Sequence, residues 1–133
     1  VNGKNGDSVE QVQELTGGGV HYSFEAIGLK QTAEDAFRML RAGGAATIIG
    51  MIPVGVKVEL MGSDFLREKK MQGSFMGSNR FRVDMPRFID FYLQGKLHLD
   101  EMISKRIGLA DINTAFDDIK TGSVARSVIV FDQ

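Results

Sequence analysis

The chain has 133 residues, 16 basic and 17 acidic, with a formal net charge of −1, and is 43% apolar and 25% charged. The near-zero balance without a basic block excludes an electrostatic nucleic-acid binder or a protein held on an anionic membrane, and the apolar share excludes a disordered tail. With no cysteine and only two separated histidines, His21 and His98, it also excludes disulfides, thiolate nucleophiles and cysteine-based zinc sites within these residues. No apolar run approaches the ~20 residues of a membrane helix. The first residues lack the pattern of a signal peptide, so the expected setting is cytoplasmic.

Residues 1–5 read as a short lead-in. Asp7 or Ser8 caps a helix to about Leu15, stopped by Gly17 to Gly19. Val20, Tyr22, Phe24 and Ala26 alternate with His21, Ser23 and Glu25, which predicts a strand to Ile27 with His21 on its polar face. Thr32, paired with Asp35 as a capping box, opens a helix whose stripe is Ala33, Ala36, Phe37 and Leu40, and Gly43–Gly44 stops it. Ala45 to Gly50 is nearly all apolar, the pattern of a strand covered on both faces. Strand, helix, strand in this order predicts a right-handed βαβ unit and a parallel sheet.

Beyond Pro53, the residues Val54, Val56, Val58 and Leu60 alternate strictly with Gly55, Lys57 and Glu59, a one-sided strand fit for a sheet edge. A helical turn or two is expected from Ser63 to Glu68, and a strand from Met71 to Met76. Asp84 with Pro86 opens a helix to about Gln94, with Met85, Phe88, Ile89 and Tyr92 as its stripe and Gly95 after it. Ile103 to Ile107 is weakly strand-like. Ile112, Ala115, Phe116 and Ile119 mark a last helix ended by Gly122, and Ser127 to Phe131 a last strand.

Three expected strands end at glycine: Ile27–Gly28, Gly50–Met51 and Met76–Gly77. In open α/β sheets ligands lie across the carboxyl ends of the strands, and glycine there permits close approach to the backbone. Each glycine alone is more simply a strand terminator; three in series favour a crevice. A dinucleotide fingerprint is missing, because Gly17–Gly18–Gly19 precedes a strand instead of following one. No Walker loop, His-Glu-x-x-His or Gly-x-Ser-x-Gly elbow occurs. Glu25 is expected beside the crevice in a structural hydrogen-bonding role, and Arg126 stands just before the last strand.

Residues Gly19 to Gly28, Arg41 to Gly44 continuing through Ile48 to Met51, and Met71 to Ser78 are similar to segments of the zinc-dependent, medium-chain alcohol dehydrogenases. So, in the same order, are Gly95-Lys96-Leu97, Leu99 to Ile103, Ile112-Asn113 with Ala115-Phe116, and Gly122 with Ala125 to Val128. The resemblance is collinear over nearly the whole chain. It implies an α/β fold, a partial Rossmann-like parallel sheet with flanking helices. Residues 1–78 would be the C-terminal half of a dinucleotide-binding domain and residues 79–133 a segment returning to the catalytic lobe. It implies the last part of an enzyme that oxidises a small alcohol to an aldehyde or ketone with hydride transfer to NAD. The zinc ligands, the phosphate loop and the ribose-binding acid would lie upstream, so this chain alone is expected to be inactive, with no catalytic or metal residue of its own.

Ile27 and Gly28 would lie on the adenosine side, and Ile49, Gly50 and Met51 beside the nicotinamide ring. Phe75 and Met76 would contact the carboxamide, and Arg126 a cofactor phosphate. Leu29 stands where some members carry an arginine, and His21 where an aspartate is common. A homodimer or larger assembly is expected through Val54, Val56, Val58 and Leu60, with no nucleic-acid or membrane partner. Two other readings stand beside this one: a zinc-free NADP-dependent medium-chain reductase, and a non-catalytic binding or assembly module.

Overall fold

The computed structural model describes residue 1, residue 3 and residues 6–131. The expected lead-in at residues 1–5 therefore falls largely outside the described residues. The chain forms two compact units, Val1–Asn79 and Arg80–Gln133. Among the described residues no helix is long and apolar enough to cross a membrane.

The first unit opens with α1 (Ser8–Thr16). Asp7 caps it as expected, its Oδ1 accepting from Val9 N at 2.9 Å and Glu10 N at 3.3 Å. Gly17 ends it in the left-handed conformation, φ 66°. Strand β1 (Val20–Glu25), helix α2 (Lys30–Arg38), strand β2 (Leu40–Ile48) and strand β3 (Lys70–Gly73) follow. The three strands form one parallel sheet in the order β1-β2-β3. Phe37, Leu40, Ala36 and Ala46 make the core, with Val20, Leu60 and Met71 packed around it. The Phe37 and Phe65 ring centroids are 5.3 Å apart. The buried ammonium of Lys69 lies 5.5 Å from the Phe37 centroid and 3.7 Å from Asp64, so the charge is compensated on both sides.

Several local expectations change. Helix α2 starts at Lys30, not Thr32, and the Thr32–Asp35 capping pair does not form. The Thr32 hydroxyl instead donates to Glu25 Oε1 at 2.7 Å. Gly43–Gly44 do not stop the helix, which ends at Arg38; they lie inside β2. There, Val20 and Tyr22 pair with Leu40 and Ala45, so two steps along β1 span five along β2. Gly43, at φ 76°, accommodates that bulge. The helix stops early because Leu40, carried in sequence on its stripe, is needed as a core side chain of the sheet.

From Tyr22 to Glu25 the alternation in β1 holds, but there the buried face is the polar one. Glu25 and Ser23 turn toward α2, Ser23 Oγ donating to Ala36 O at 2.6 Å, while Tyr22 and Phe24 are exposed. Strand β2 is likewise covered more fully on one face: Ala46 is fully buried, while Ala45 and Thr47 on the other face are half-buried. In this chain α2 covers one face of the sheet, which is enough to bury one alternate set of residues and no more.

Residues 54–60 form no strand. Val56 N donates to Pro53 O in a turn, and the chain then runs extended beside α2. Glu59 N donates to Glu34 Oε1 at 2.9 Å, and the Glu59 carboxylate pairs with Lys30. Val58 and Leu60 are half-buried because they face the helix and core, so the period-two pattern reports burial rather than a ladder. Strand β3 ends at Gly73, short of Met76. Met76, Gly77 and Ser78 form a left-handed turn with φ of 47°, 71° and 53°.

The second unit contains α3 (Phe81–Leu93), β4 (Lys105–Ile107), α4 (Ile112–Thr121) and β5 (Ser127–Ile129). Helix α3 begins three residues before the expected Asp84, because Asp84 Oδ2 accepts from Arg80 N at 2.7 Å and secures the first turn. Pro86 therefore falls inside the helix rather than opening it. The expected stripe of α3 is present, but no residue of the helix is buried. Strands β4 and β5 pair in parallel and are joined by α4, which ends at Gly122, φ 71°; Ile107 and Ala115 are the buried apolar residues of this unit among those described.

Candidate functional site

The parallel order places the carboxyl ends of β1, β2 and β3 side by side. Between the last two lies an open cleft of about 610 Å³, walled by Ile49, Gly50 and Met51 on one side and Ser74, Phe75 and Met76 on the other. Five residues expected at a binding site thus share one surface. Met51, Phe75 and Met76 are 91%, 87% and 76% exposed, so three large apolar side chains project into solvent around a backbone floor. A cluster of exposed apolar side chains around a concave edge is a surface of the kind that ligands or other protein surfaces cover. Ser74 N donates to Ile48 O at 2.9 Å and ties the two walls together. Ser74 and Ser78 hydroxyls are 3.1 Å apart across the left-handed turn.

Ile27 does not join this cleft. It borders a separate hollow of about 330 Å³ along the outer side of β1, with Glu25, Thr32 and Asp35. Gly28 is buried between the two strand ends. Arg126 belongs to the other unit, where its carbonyl accepts from Ser104 N at 2.9 Å and Lys105 N at 3.3 Å. Leu29 is exposed at the start of α2.

The glycines after β1 and β2 are required by the packing of the chain itself. A Cβ on Gly28 would fall 2.6 Å from Met51 O, and one on Gly50 only 2.2 Å from Gly28 N. The loops after β1 and β2 pack backbone on backbone, and glycine is the residue that allows it. Gly77 meets nothing within 4 Å, and its role is the positive φ.

Glu25 sits where these loops meet and is 3% exposed. Its Oε1 accepts from Ile27 N at 2.8 Å, Gly28 N at 2.7 Å and the Thr32 hydroxyl. Burial, the largest single influence, raises its pKa. The hydrogen bonds from Thr32, Gly28, Ile27 and Leu29 together outweigh burial and hold the carboxyl below the ordinary carboxylate range. The sequence placed this residue beside the crevice but missed its link to Thr32. The signal available was an acid at a strand end with a glycine three residues on and a threonine seven residues on.

A native pKa below the unfolded value means the unfolded chain binds the extra proton first. Glu25 therefore stabilises the fold above the unfolded carboxylate pKa, and that contribution is lost as pH falls through the native value. Urea midpoints measured from neutral to acid pH are expected to fall more steeply for the wild type than for Glu25→Gln. Parallel curves would show that the Glu25 charge carries no net stability.

His21 lies 3.4 Å from Arg41 and His98 3.3 Å from Glu101, both exposed. Among the described residues no group of three His, Cys, Asp or Glu side chains could hold a metal ion. The residues present do not fit a catalytic zinc, which needs three converging protein ligands.

The sequence model of a family described as zinc-binding dehydrogenase matches residues 1–94. Alcohol dehydrogenase-like 5 of Arabidopsis thaliana is 36% identical over 121 residues, covering 90% of this chain and 31% of the plant protein. The crystal structure of benzyl alcohol dehydrogenase from Acinetobacter calcoaceticus superposes with a TM-score of 0.88 at 25% identity, covering 98% of this chain and 36% of that one. A protein from Sinorhizobium meliloti 1021, solved bound to NADP, gives a TM-score of 0.83 at 33% identity and covers 98% of this chain and 38% of its own. The chain spans about a third of the length of the curated relatives it matches, 31% to 32% for the first three.

Proposed function

The chain belongs to the zinc-binding dehydrogenase family, and from that premise we propose that it forms the nicotinamide-side wall of the cofactor site in a longer alcohol dehydrogenase. The observation that carries this reading is the cleft at the carboxyl ends of β2 and β3, where Ile49, Gly50, Met51, Phe75 and Met76 meet. Its Rossmann-like parallel sheet offers a dinucleotide that edge. A bound nicotinamide supplies the hydride acceptor. This chain's residues would bind and orient it: Ile49 and Met51 pack against the ring, Phe75 and Met76 exclude water beside the carboxamide. In the same reading Ile27 and Gly28 serve the adenosine end and Arg126 a phosphate. Residues 1–78 act as part of the dinucleotide-binding domain and residues 79–133 as the return to the catalytic lobe, within a cytoplasmic enzyme. No step here runs through zinc, whose ligands this chain does not supply.

NAD is the proposed cofactor and a small alcohol, oxidised to an aldehyde or ketone, the proposed substrate. A second reading, use of NADP by a medium-chain reductase, is favoured by the Sinorhizobium meliloti relative bound to NADP. Titration of both dinucleotides into the longer enzyme separates the two. Phe75→Ala there is expected to raise the dissociation constant about tenfold, the loss of roughly 1.4 kcal/mol of apolar contact. The ring is 87% exposed in this chain, so the replacement leaves the fold intact. An unchanged constant removes the cleft from the cofactor site. The chain alone is expected to show neither stoichiometric zinc after dialysis nor alcohol-dependent NADH absorbance; turnover by the chain alone overturns the proposal.

Self-association is the proposed assembly, through Val54, Val56, Val58 and Leu60. Val54 is fully exposed and Val56 is 44% exposed, and residues 54–58 pair with no strand among the described residues. Two copies aligned antiparallel about Val58 would set Lys57 of each against Glu59 of the other. Such pairs contribute only ~0.2–1 kcal/mol each, and Glu59 already holds Lys30, so apolar burial must supply most of the affinity. Sedimentation is expected to show a dimer that Val54→Asp, at the fully exposed valine, weakens; a monomer at concentrations well above the micromolar range removes the interface.

A further inference from the structure

We propose that Glu25 is a positioning residue for the cleft: it lines no part of it, yet its buried carboxylate and its own carbonyl hold the backbone wall at residues 49–51 in place. Two sets of contacts converge on it. Through Oε1 it gathers Ile27 N, Gly28 N and the Thr32 hydroxyl, which ties the loop after β1 to the first turn of α2. Through its backbone carbonyl it accepts from Ile49 N at 2.7 Å and Gly50 N at 3.0 Å, which ties the same residue to the loop after β2.

The two sets are coupled by contact. Oε2 is buried without a hydrogen-bond partner and lies against Gly50, where an added Cβ would come within 2.5 Å of it. Gly28, held by Oε1, packs on the backbone of Met51 and Gly50. Any shift of the carboxylate therefore moves Gly28, and Gly28 bears directly on residues 50 and 51. Those residues are a wall of the cleft. A buried carboxylate with one saturated and one unpaired oxygen is an uneconomical way to fill space, since an apolar side chain would avoid its desolvation. Its presence is accounted for by the geometry it imposes on two loops at once.

The consequence for cofactor affinity rests on the reading of the cleft given above; the positioning itself does not. Amide hydrogen exchange of the chain reads it directly. In Glu25→Gln, one oxygen still accepts but the charge is gone. Exchange at Ile27, Gly28, Ile49 and Gly50 is expected to speed up roughly tenfold or more, as for losing a hydrogen bond to a charged acceptor. The β2–β3 ladder and Ser74, bonded to Ile48 O, are expected to stay unchanged. A uniform rise over the whole sheet would mean that Glu25 only stabilises the fold, and overturns the proposal. A rise confined to Ile27 and Gly28 would mean that nothing passes to the cleft wall, and also overturns it, as does wild-type exchange at all four. Should Glu25→Gln fail to fold, Thr32→Val, which removes one donor to the same oxygen, is read by the same criterion with a smaller expected rise. If the local pattern appears while the longer enzyme takes up no dinucleotide, the positioning stands and the cofactor reading falls.

Discussion

Phe37→Ala is expected to leave the Val1–Asn79 unit largely unfolded. Phe37 has no exposed surface, and it and Leu40 are the largest fully buried side chains among the described residues. It is the centre of the one core cluster, touching the layer formed by Leu40 and Ala46 and stacking at a tilt on Phe65. Removing a buried phenylalanine costs about 3–5 kcal/mol, the sum of lost transfer energy and the cavity left behind. A domain of this kind has ~5–15 kcal/mol in total, and this core is small, so the loss takes most of the margin. A second effect adds to it, because the buried Lys69 ammonium loses the ring beneath it and keeps only Asp64. Urea unfolding followed by circular dichroism measures the difference. A loss below ~1 kcal/mol would place the core elsewhere. Phe37→Leu, which keeps most of the volume, is expected to cost clearly less.

Gly50→Ala is expected to cost nearly as much, by a different route. The new Cβ would sit 2.2 Å from Gly28 N, 2.5 Å from Glu25 Oε2 and 2.7 Å from Gly28 Cα. Two of these are backbone atoms, so no change of rotamer relieves the overlap. The loops after β1 and β2 must separate, and the bonds that join them through Glu25 lengthen or break. Overpacking of this kind costs typically ~1–3 kcal/mol, and the disturbed bonds to a charged, buried acceptor add to it. Gly62→Ala is the control: its Cβ would meet nothing within 4 Å and its backbone is not left-handed, so the change is expected to be neutral or stabilising by a few tenths of a kcal/mol. Equal effects at the two positions would contradict the close approach at Gly50. Because Gly50 also belongs to the cleft wall, the same variant is expected to weaken dinucleotide binding in the longer enzyme beyond what its lost stability explains.

Both substitutions act at positions whose importance is local to the fold and only partly visible in the chain. The α2 stripe named Ala33, Ala36, Phe37 and Leu40 as buried, and all four are. Asp7 before a helix and glycine after it at positions 17 and 122 mark ends that the structure keeps, because capping depends on a few consecutive residues. The ordered set of segments from Gly19 to Val128 likewise suffices for the family, since it needs no knowledge of contacts.

What the tertiary structure alone decided is which partner each segment meets. Period two in β1 says that Tyr22 and Phe24 share one face and Ser23 and Glu25 the other. It does not say which face α2 will cover, and the helix covers the polar one. The same period at residues 54–60 is produced here by lying along α2, with Glu59 held by Lys30 and Glu34, and not by a ladder. Gly28 and Gly50 read separately as strand ends, and their shared function exists only because the parallel register brings residues 22 positions apart into backbone contact. Local sequence sets the conformations that each short stretch prefers. The side that is buried, the loop that touches another loop and the carboxylate that joins them depend on contacts between distant residues, which the order of residues along the chain does not contain in local form.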